Sequence, residues 1–173
     1  MDKLSKIKNS KPQKLRGELQ DSSDLDLNLR RAVIGLSLLG IGTMTAVTLF
    51  QTAVIKHLPD LPIDGFDSDK VNSSDTAYAL GVPDGALSLA SLSANIPLAA
   101  FGGENRAETM PLVPLAAAAK ATAEAAVAGW YFYQMPTKEK AWCGYCIVGA
   151  AANFGIAALT LAEAKKAWNS LFR

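Results

Sequence analysis

The chain has 173 residues, of which half are hydrophobic, and its 17 basic residues nearly balance its 16 acidic ones. The near-zero net charge argues against a nucleic-acid-binding protein, which would carry a large basic excess. Two cysteines are too few for a disulfide-dense secreted scaffold, and a single histidine excludes a histidine-rich metal centre, so we expect no metal. A positive mean hydropathy of +0.15 instead indicates an integral membrane protein.

Four apolar stretches follow a polar N-terminal segment. Residues 1–31 are rich in charged and polar side chains and are expected to form a flexible cytoplasmic tail. The run 32–55 has 24 residues without a charge, and as a helix it would extend about 36 Å, enough to cross a bilayer. Further spans are predicted at 84–103, 111–133 and 142–164, with 166–173 as a short cytoplasmic tail. The predicted fold is all-α, a membrane-embedded four-helix bundle over residues 32–165 within the lipid bilayer.

The third stretch contains two charged residues. Lys120 and Glu124 are four residues apart and therefore share one face of a helix. Because an unpaired charge at bilayer depth is costly, we expect the two side chains to pair and to face the other helices. A proton or substrate route is the functional alternative.

The distribution of basic residues predicts the orientation. Twelve basic residues lie on the side of the two termini and the 103–110 loop, against four on the opposite side. The positive-inside rule therefore places both termini in the cytoplasm. The loop 56–82 and the start of the fourth span then face the periplasm or the thylakoid lumen in bacteria, or the ER lumen in a eukaryote. These compartments permit disulfides.

Cys143 and Cys146 form a CxxC motif at the predicted start of the fourth helix. Free N–H groups and the positive end of the helix dipole favour a thiolate at this position. A redox-active dithiol–disulfide pair is the favoured interpretation. A zinc site is disfavoured because tetrahedral zinc needs four ligands, and inert membrane cysteines remain an alternative.

Two segments resemble the vitamin K epoxide reductase family. WCGYCIVGAAANFGIAAL, residues 142–159, is similar to the CxxC helix of that family. In the segment 68–92, Ser68, Val71 and Ser74 keep the spacing of a Cys-x-x-Val-x-x-Ser pattern, and a Gly-Val-Pro sequence follows at 81–83. The resemblance covers roughly residues 32–165. It implies a four-helix membrane oxidoreductase that passes electrons from its CxxC to a quinone held among the helices.

The resemblance also implies a reaction partner, a substrate and a site. A thiol partner, for example a thioredoxin-like periplasmic or lumenal protein, would reduce the Cys143–Cys146 pair in support of disulfide formation. Menaquinone, phylloquinone or ubiquinone would be the co-substrate beside Cys146, while the partner thiol would attack a more exposed Cys143. The candidate residues of the quinone pocket are Phe66, Asp84, Trp142, Tyr145 and Asn153. Simpler structural roles stay open for four of them, as membrane-interface anchors (Trp142, Tyr145), a helix-to-helix hydrogen bond (Asn153) and a helix cap (Asp84).

Two departures from the family pattern suggest an alternative function. Many members carry two further cysteines in the outer loop, and here Ser68 stands in place of the second. Members often have a tyrosine where this chain has Ala150, and alanine cannot donate a hydrogen bond to a quinone carbonyl. The alternative is a non-catalytic accessory subunit of a larger respiratory or photosynthetic membrane complex built on the same fold.

Overall fold

The computed structural model describes residues 11–172, and within this range the regular structure is helical, without a β-strand. The all-α class predicted from the sequence is therefore confirmed. The helices are α1 (Lys11–Asp21), α2 (Leu25–Gln51), α3 (Ser68–Asn72), α4 (Asp84–Ala100), α5 (Arg106–Thr109), α6 (Leu112–Gln134), which continues into a π-helical turn (Met135–Glu139), and α7 (Gly144–Leu171).

Three of these helices are long and apolar enough to cross a membrane: α2, α6 with its π-helical turn, and α7. Only 28%, 22% and 28% of their most apolar segments are buried inside the chain, so most of their apolar side chains face outward. Outward apolar faces on long helices are suited to lipid. The protein is thus an integral membrane protein. Helix α4 has 17 residues and is not among these three.

Close approach between helices depends on glycine at two positions of the α2 interfaces. Helix α2 packs against both α4 and α7, and α6 packs against α7. A Cβ atom added to Gly40 of α2 would lie 2.8 Å from Leu92 Cδ1 of α4. A Cβ added to Gly155 of α7 would lie 2.8 Å from Leu36 Cδ1. Glycine therefore sets the spacing of α2 to both neighbours, as small residues do between membrane helices.

The N-terminal segment is more helical than the predicted flexible tail. Residues 11–21 form α1, and α2 begins at Leu25 rather than at residue 32, while residues 1–10 lie outside the described range. Asp24 caps α2 by accepting a hydrogen bond from the backbone N–H of Asp26 over 2.9 Å. The carboxylate of Asp26 pairs with Lys166 Nζ of α7 at 2.8 Å, which ties the start of α2 to the end of α7.

Two buried arginines close the same end of the molecule. Arg106 pairs with Glu163 of α7 at 2.6 Å, and the two side chains are only 2% and 5% exposed. Arg106 Nη1 also donates to the carbonyl oxygens of Leu98 and Phe101 at the end of α4. Arg30 donates to the carbonyl oxygens of residues 101–103 over 3.2–3.4 Å. These bonds satisfy carbonyls in the last turn of α4 and in the three residues that follow it, which would otherwise lack partners.

The predicted pairing of Lys120 and Glu124 is confirmed. Lys120 Nζ lies 2.5 Å from Glu124 Oε1. Lys120 also donates to Asn95 Oδ1 and to the carbonyl oxygen of Ser91, both over 2.8 Å. Glu124 accepts hydrogen bonds from Ser91 Oγ and from Asn95 Nδ2. The pair therefore faces α4 and joins it to α6.

A candidate active site at the cysteine pair

The loop between α2 and α4 is fixed against the start of α7 by backbone hydrogen bonds. The N–H of Asp67 donates to the carbonyl of Trp142 over 2.9 Å, and the N–H of Trp142 donates to the carbonyl of Gly65 over 2.8 Å. Asp60 accepts from the backbone N–H and the hydroxyl of Ser68, over 2.7 and 2.6 Å. These bonds hold α3, which begins at Ser68, directly beside the CxxC motif.

Cys143 is the N-cap residue of α7, and its side chain is completely buried. Its extended backbone (φ −120°, ψ 117°) turns the sulfur back over the first turn of the helix. Cys143 Sγ accepts hydrogen bonds from the backbone N–H of Cys146 over 3.1 Å and from Asn72 Nδ2 over 3.2 Å. Both cysteines are free thiols in this structure. The pair is therefore described in its reduced state.

Cys143 precedes the spanning helix, whose first residue is Gly144. Hydrogen bonding lowers the pKa of the Cys143 thiol from 9.0 to about 7. The largest cause is a hydrogen bond from the Cys146 side chain, and bonds from Ser68, Asn72 and the Cys146 N–H act in the same direction against the effect of burial. A thiol with this pKa is about half thiolate at pH 7, and the thiolate is the nucleophilic form.

Cys146 lines a cavity of about 460 Å³ that is bounded mainly by α2, α4, α6 and α7. This volume lies within the range of small-molecule sites, roughly 300–1,000 Å³. Asp84 at the start of α4 and Asn153, two turns into α7, contribute polar groups to the wall. Most of the wall is apolar and includes Met44, Val47, Leu87, Leu92, Val127 and Phe132. An apolar chamber with a thiol and a few polar groups can accept a flat, lipid-soluble molecule.

The family model of the vitamin K epoxide reductase family matches residues 31–161, about three quarters of the chain. The chain belongs to this family. Membership makes the protein, in general terms, a membrane-bound thiol–quinone oxidoreductase, and it implies a quinone as the class of substrate. No curated protein and no solved structure matches the chain. Over residues 11–172, no group of three or more His, Cys, Asp or Glu side chains is placed to bind a metal ion.

In this reductase-family chain, the cavity includes some of the predicted pocket residues and not others. Asp84 and Asn153 lie in the wall with Cys146, whereas Phe66, Trp142 and Tyr145 do not. Tyr145 is directed away from the cavity, because its hydroxyl donates to the carbonyl of Pro59 over 2.9 Å.

Phe66 and Trp142 stay outside the wall because they form the backbone bridge that holds the loop. The ring of Trp142 packs against Phe132, with 5.4 Å between the ring centroids, and Phe132 does line the cavity. Trp142 therefore contacts the cavity wall through Phe132 without lining the cavity itself.

The expectation that Cys143 is the more exposed cysteine is wrong for this state of the protein. Cys143 is 0% exposed, because Val71 of α3 and Met135 of the π-helical turn pack around it. Cys146 is partly exposed and borders the cavity. The reason is the cap geometry, which turns the first sulfur inward under α3 and leaves the second on the cavity side.

The sequence interpretation missed two amide side chains. Asn72 contacts both sulfurs. Its Nδ2 atom donates to Cys143 Sγ, and its Oδ1 atom lies 3.5 Å from Cys146 Sγ. Gln51 donates from Nε2 to the carbonyl of Asn72 and to Asp84 Oδ1. Gln51 is the only amide side chain in the first apolar run, and this isolated polarity is a signal that could have identified it. Asn72 lies within the segment that carries the resemblance, but nothing local distinguishes it.

Proposed function

We propose that the protein passes electrons from a thiol partner through Cys143 and Cys146 to a quinone bound in the cavity, in support of disulfide formation in other proteins. The observation that carries this proposal is the position of Cys146. It borders an apolar cavity of about 460 Å³ and lies one helical turn from a second thiol whose pKa is about 7. Menaquinone, phylloquinone and ubiquinone share the flat, apolar ring that such a cavity would accept.

The chemistry needs a balanced transfer of two electrons and two protons. Two electrons leave the pair as the Cys143–Cys146 disulfide forms, and the quinone is reduced to a quinol. One proton comes from the Cys146 thiol and the other from solvent, because Cys143 reacts as the thiolate. Asp84 and Asn153 supply polar groups that would orient the oxygens of the ring, and the mostly apolar wall would contact its faces.

Regeneration of the reduced pair requires thiol–disulfide exchange with a partner thiol. A thioredoxin-like periplasmic or lumenal protein is the partner we propose. Because Cys143 is buried beneath α3, this step needs α3 to move away from Cys143 or the partner thiol to reach Cys146. The chain has no further cysteine, so it contains no internal relay.

We also propose that α4 completes a bundle of four spans in a bacterial inner membrane or a thylakoid membrane. Its 17 residues would extend about 26 Å as a helix, close to the thickness of the hydrocarbon core. An even number of spans puts both termini on one side, and the excess of basic residues there supports a cytoplasmic location. The CxxC motif would then lie on the periplasmic or lumenal side.

The test uses purified protein in detergent, with both thiols reduced and the reductant removed. A short-tailed naphthoquinone or ubiquinone is added, and quinol absorbance and free thiols are followed together. We expect one quinol for each pair of thiols lost, and no quinol from the Cys143→Ser or Cys146→Ser variant. Thiols that stay reduced beside every quinone tested would contradict the proposal.

The accessory-subunit function remains the second candidate because the loop lacks relay cysteines and Ala150 occupies the position of the family tyrosine. A structural or idle cysteine pair would not change its redox state with the supply of quinone in membranes. The state of the pair, measured by thiol trapping with and without quinone, distinguishes the two functions.

A further inference from the structure

The side chain of Asn72 lies between the two sulfur atoms of the CxxC motif. It is 2% exposed, and it belongs to α3 rather than to the helix that carries the cysteines. Nδ2 is 3.2 Å from Cys143 Sγ, and Oδ1 is 3.5 Å from Cys146 Sγ. One amide therefore contacts both reacting atoms.

A third contact fixes the orientation of this amide. Asn72 Nδ2 lies 2.7 Å from the carbonyl oxygen of Ser68. A carbonyl oxygen only accepts hydrogen bonds, so the atom that faces it must be the NH₂ group of the amide. The second N–H of the same group then points to Cys143, and the amide oxygen points to Cys146.

This orientation gives the two sulfurs different roles. Cys143 Sγ receives two N–H donors, one from Asn72 and one from the backbone of Cys146. Donors favour the charged form of an acceptor. Cys146 Sγ faces two acceptors, the Cys143 thiolate and the amide oxygen of Asn72, which can only accept. Its single S–H proton is shared between these two contacts, and both of them require Cys146 to stay protonated.

We propose that Asn72 is a positioning residue that assigns the protonation of the pair, holding Cys143 as the thiolate and Cys146 as the thiol on the cavity side. The proposal deepens the proposed function, because it names the residue that prepares the dithiol for oxidation. The protonation itself does not depend on quinone, so it can be tested separately.

The other titratable groups near the pair come from three elements. Asp60 in the loop is joined to α3 through Ser68, Asp84 at the start of α4 is joined to Asn72 through Gln51, and Tyr145 in α7 bonds to the loop. Within residues 11–172, none of these three side chains forms a hydrogen bond with either sulfur. Ser68 of α3 also lowers the pKa of Cys143, but within α3 only Asn72 contacts both sulfurs.

The first measurement is a pH titration of ultraviolet thiolate absorbance on the reduced protein in detergent, without quinone. We expect the wild-type protein to titrate with a midpoint near pH 7. The Cys143→Ser variant should lose this transition. If the Cys143→Ser variant keeps a midpoint near pH 7, the assignment of the thiolate to Cys143 is overturned.

The second measurement compares Asn72→Leu, which keeps the branching and the number of side-chain heavy atoms but removes the amide, with the control Ser73→Ala. Ser73 is the exposed neighbour that follows α3, and its hydroxyl contacts only the carbonyl of Lys70. Loss of the Asn72 donor should raise the Cys143 midpoint by about one pH unit, which well below the midpoint is a tenfold loss of thiolate. The control should leave the midpoint unchanged.

The redox potential of the pair is a further test, because a purely structural role of Asn72 does not predict that its replacement lowers this potential. Destabilising the thiolate destabilises the reduced state. Equilibration with a thiol redox buffer at pH 9, where the thiolate is the dominant form in both proteins, should therefore give a potential about 30 mV lower for Asn72→Leu, corresponding to a nearly tenfold change in the equilibrium constant. A folded Asn72→Leu variant with wild-type midpoint and potential would overturn the role of Asn72. Because no quinone is present, failure of this test is distinct from failure of quinone reduction.

Discussion

Gln51 Nε2 and Asp84 Oδ1 lie 2.6 Å apart and join the end of α2 to the start of α4 beside the cavity. The same amide accepts a hydrogen bond at Oε1 from the backbone N–H of Gly85 over 3.0 Å. A Cβ on Gly85 would come within 2.7 Å of that oxygen, so glycine makes this contact possible. One side chain therefore fixes the carboxylate of Asp84 at the cavity wall.

The Gln51→Leu substitution should destabilise the protein and disturb the cavity wall. It removes the donor to Asp84 and leaves the N–H of Gly85 without its acceptor, which costs roughly 1–3 kcal/mol for a buried group. The free energy of unfolding in mixed micelles measures the loss. Thr45→Val is the matched control on the same helix, because Thr45 is exposed and bonds only to the carbonyl of Ile41. An equal effect of both substitutions would contradict the assigned role.

The Ala150→Tyr substitution should improve quinone binding if the cavity is the quinone site. Ala150 lines the cavity, and a tyrosine there adds a hydroxyl donor at the position where the family often has one. Ala150→Phe is the matched control, because it adds the ring without the hydroxyl. We expect a KM for quinone roughly 2- to 10-fold lower for the tyrosine variant than for the phenylalanine variant, the range of one neutral hydrogen bond. Equal KM values would show that no quinone oxygen reaches this position.

The rate of disulfide formation with quinone should increase with pH. The pKa of Cys143 is lowered to about 7, so its thiolate fraction rises as the pH increases through that value. Single-turnover rates of thiol loss, measured from pH 5.5 to 8.5, should therefore be about half-maximal near pH 7. A rate that is flat or falls across this range would mean that the thiolate of Cys143 does not limit the reaction.

Removal of either partner of the Lys120–Glu124 pair should destabilise the contact between α4 and α6. Each substitution, Lys120→Ala or Glu124→Ala, leaves a partly buried charge with its remaining partners on α4 only. We expect a loss of about 1–3 kcal/mol in the free energy of unfolding. Lys14→Ala, an exposed lysine on α1, is the control and should have no measurable effect. Unchanged stability in both pair variants would contradict this role.

The buried pair of Arg106 and Glu163 should show strong coupling in a double-mutant cycle. Because both side chains are almost fully buried, Arg106→Leu or Glu163→Leu alone leaves an uncompensated charge and should cost about 3–5 kcal/mol. The double variant should lose clearly less than the sum of the two, since it leaves no unpaired charge from this pair. Additive losses would indicate that the two residues stabilise the protein independently.

The sequence alone determined the helical class, the membrane location and the CxxC motif that we propose as the reactive pair. Long uncharged runs such as 32–55 can satisfy their backbone groups in lipid only as helices, and a CxxC motif places two thiols on one helical turn. The pairing of Lys120 with Glu124 was predictable for the same reason, because residues four apart on a helix are neighbours. These features depend on short-range spacing, which the sequence displays directly.

The tertiary structure alone decided which sulfur is buried and which side chains surround the pair. Asn72 is 71 residues from Cys143 in the chain, and their contact exists because backbone bonds to Trp142 hold the loop against the start of α7. The same packing buries Cys143 and leaves Cys146 on the cavity, the reverse of the expected exposure. Contacts of this kind depend on how separate elements pack, and no local spacing in the sequence records them.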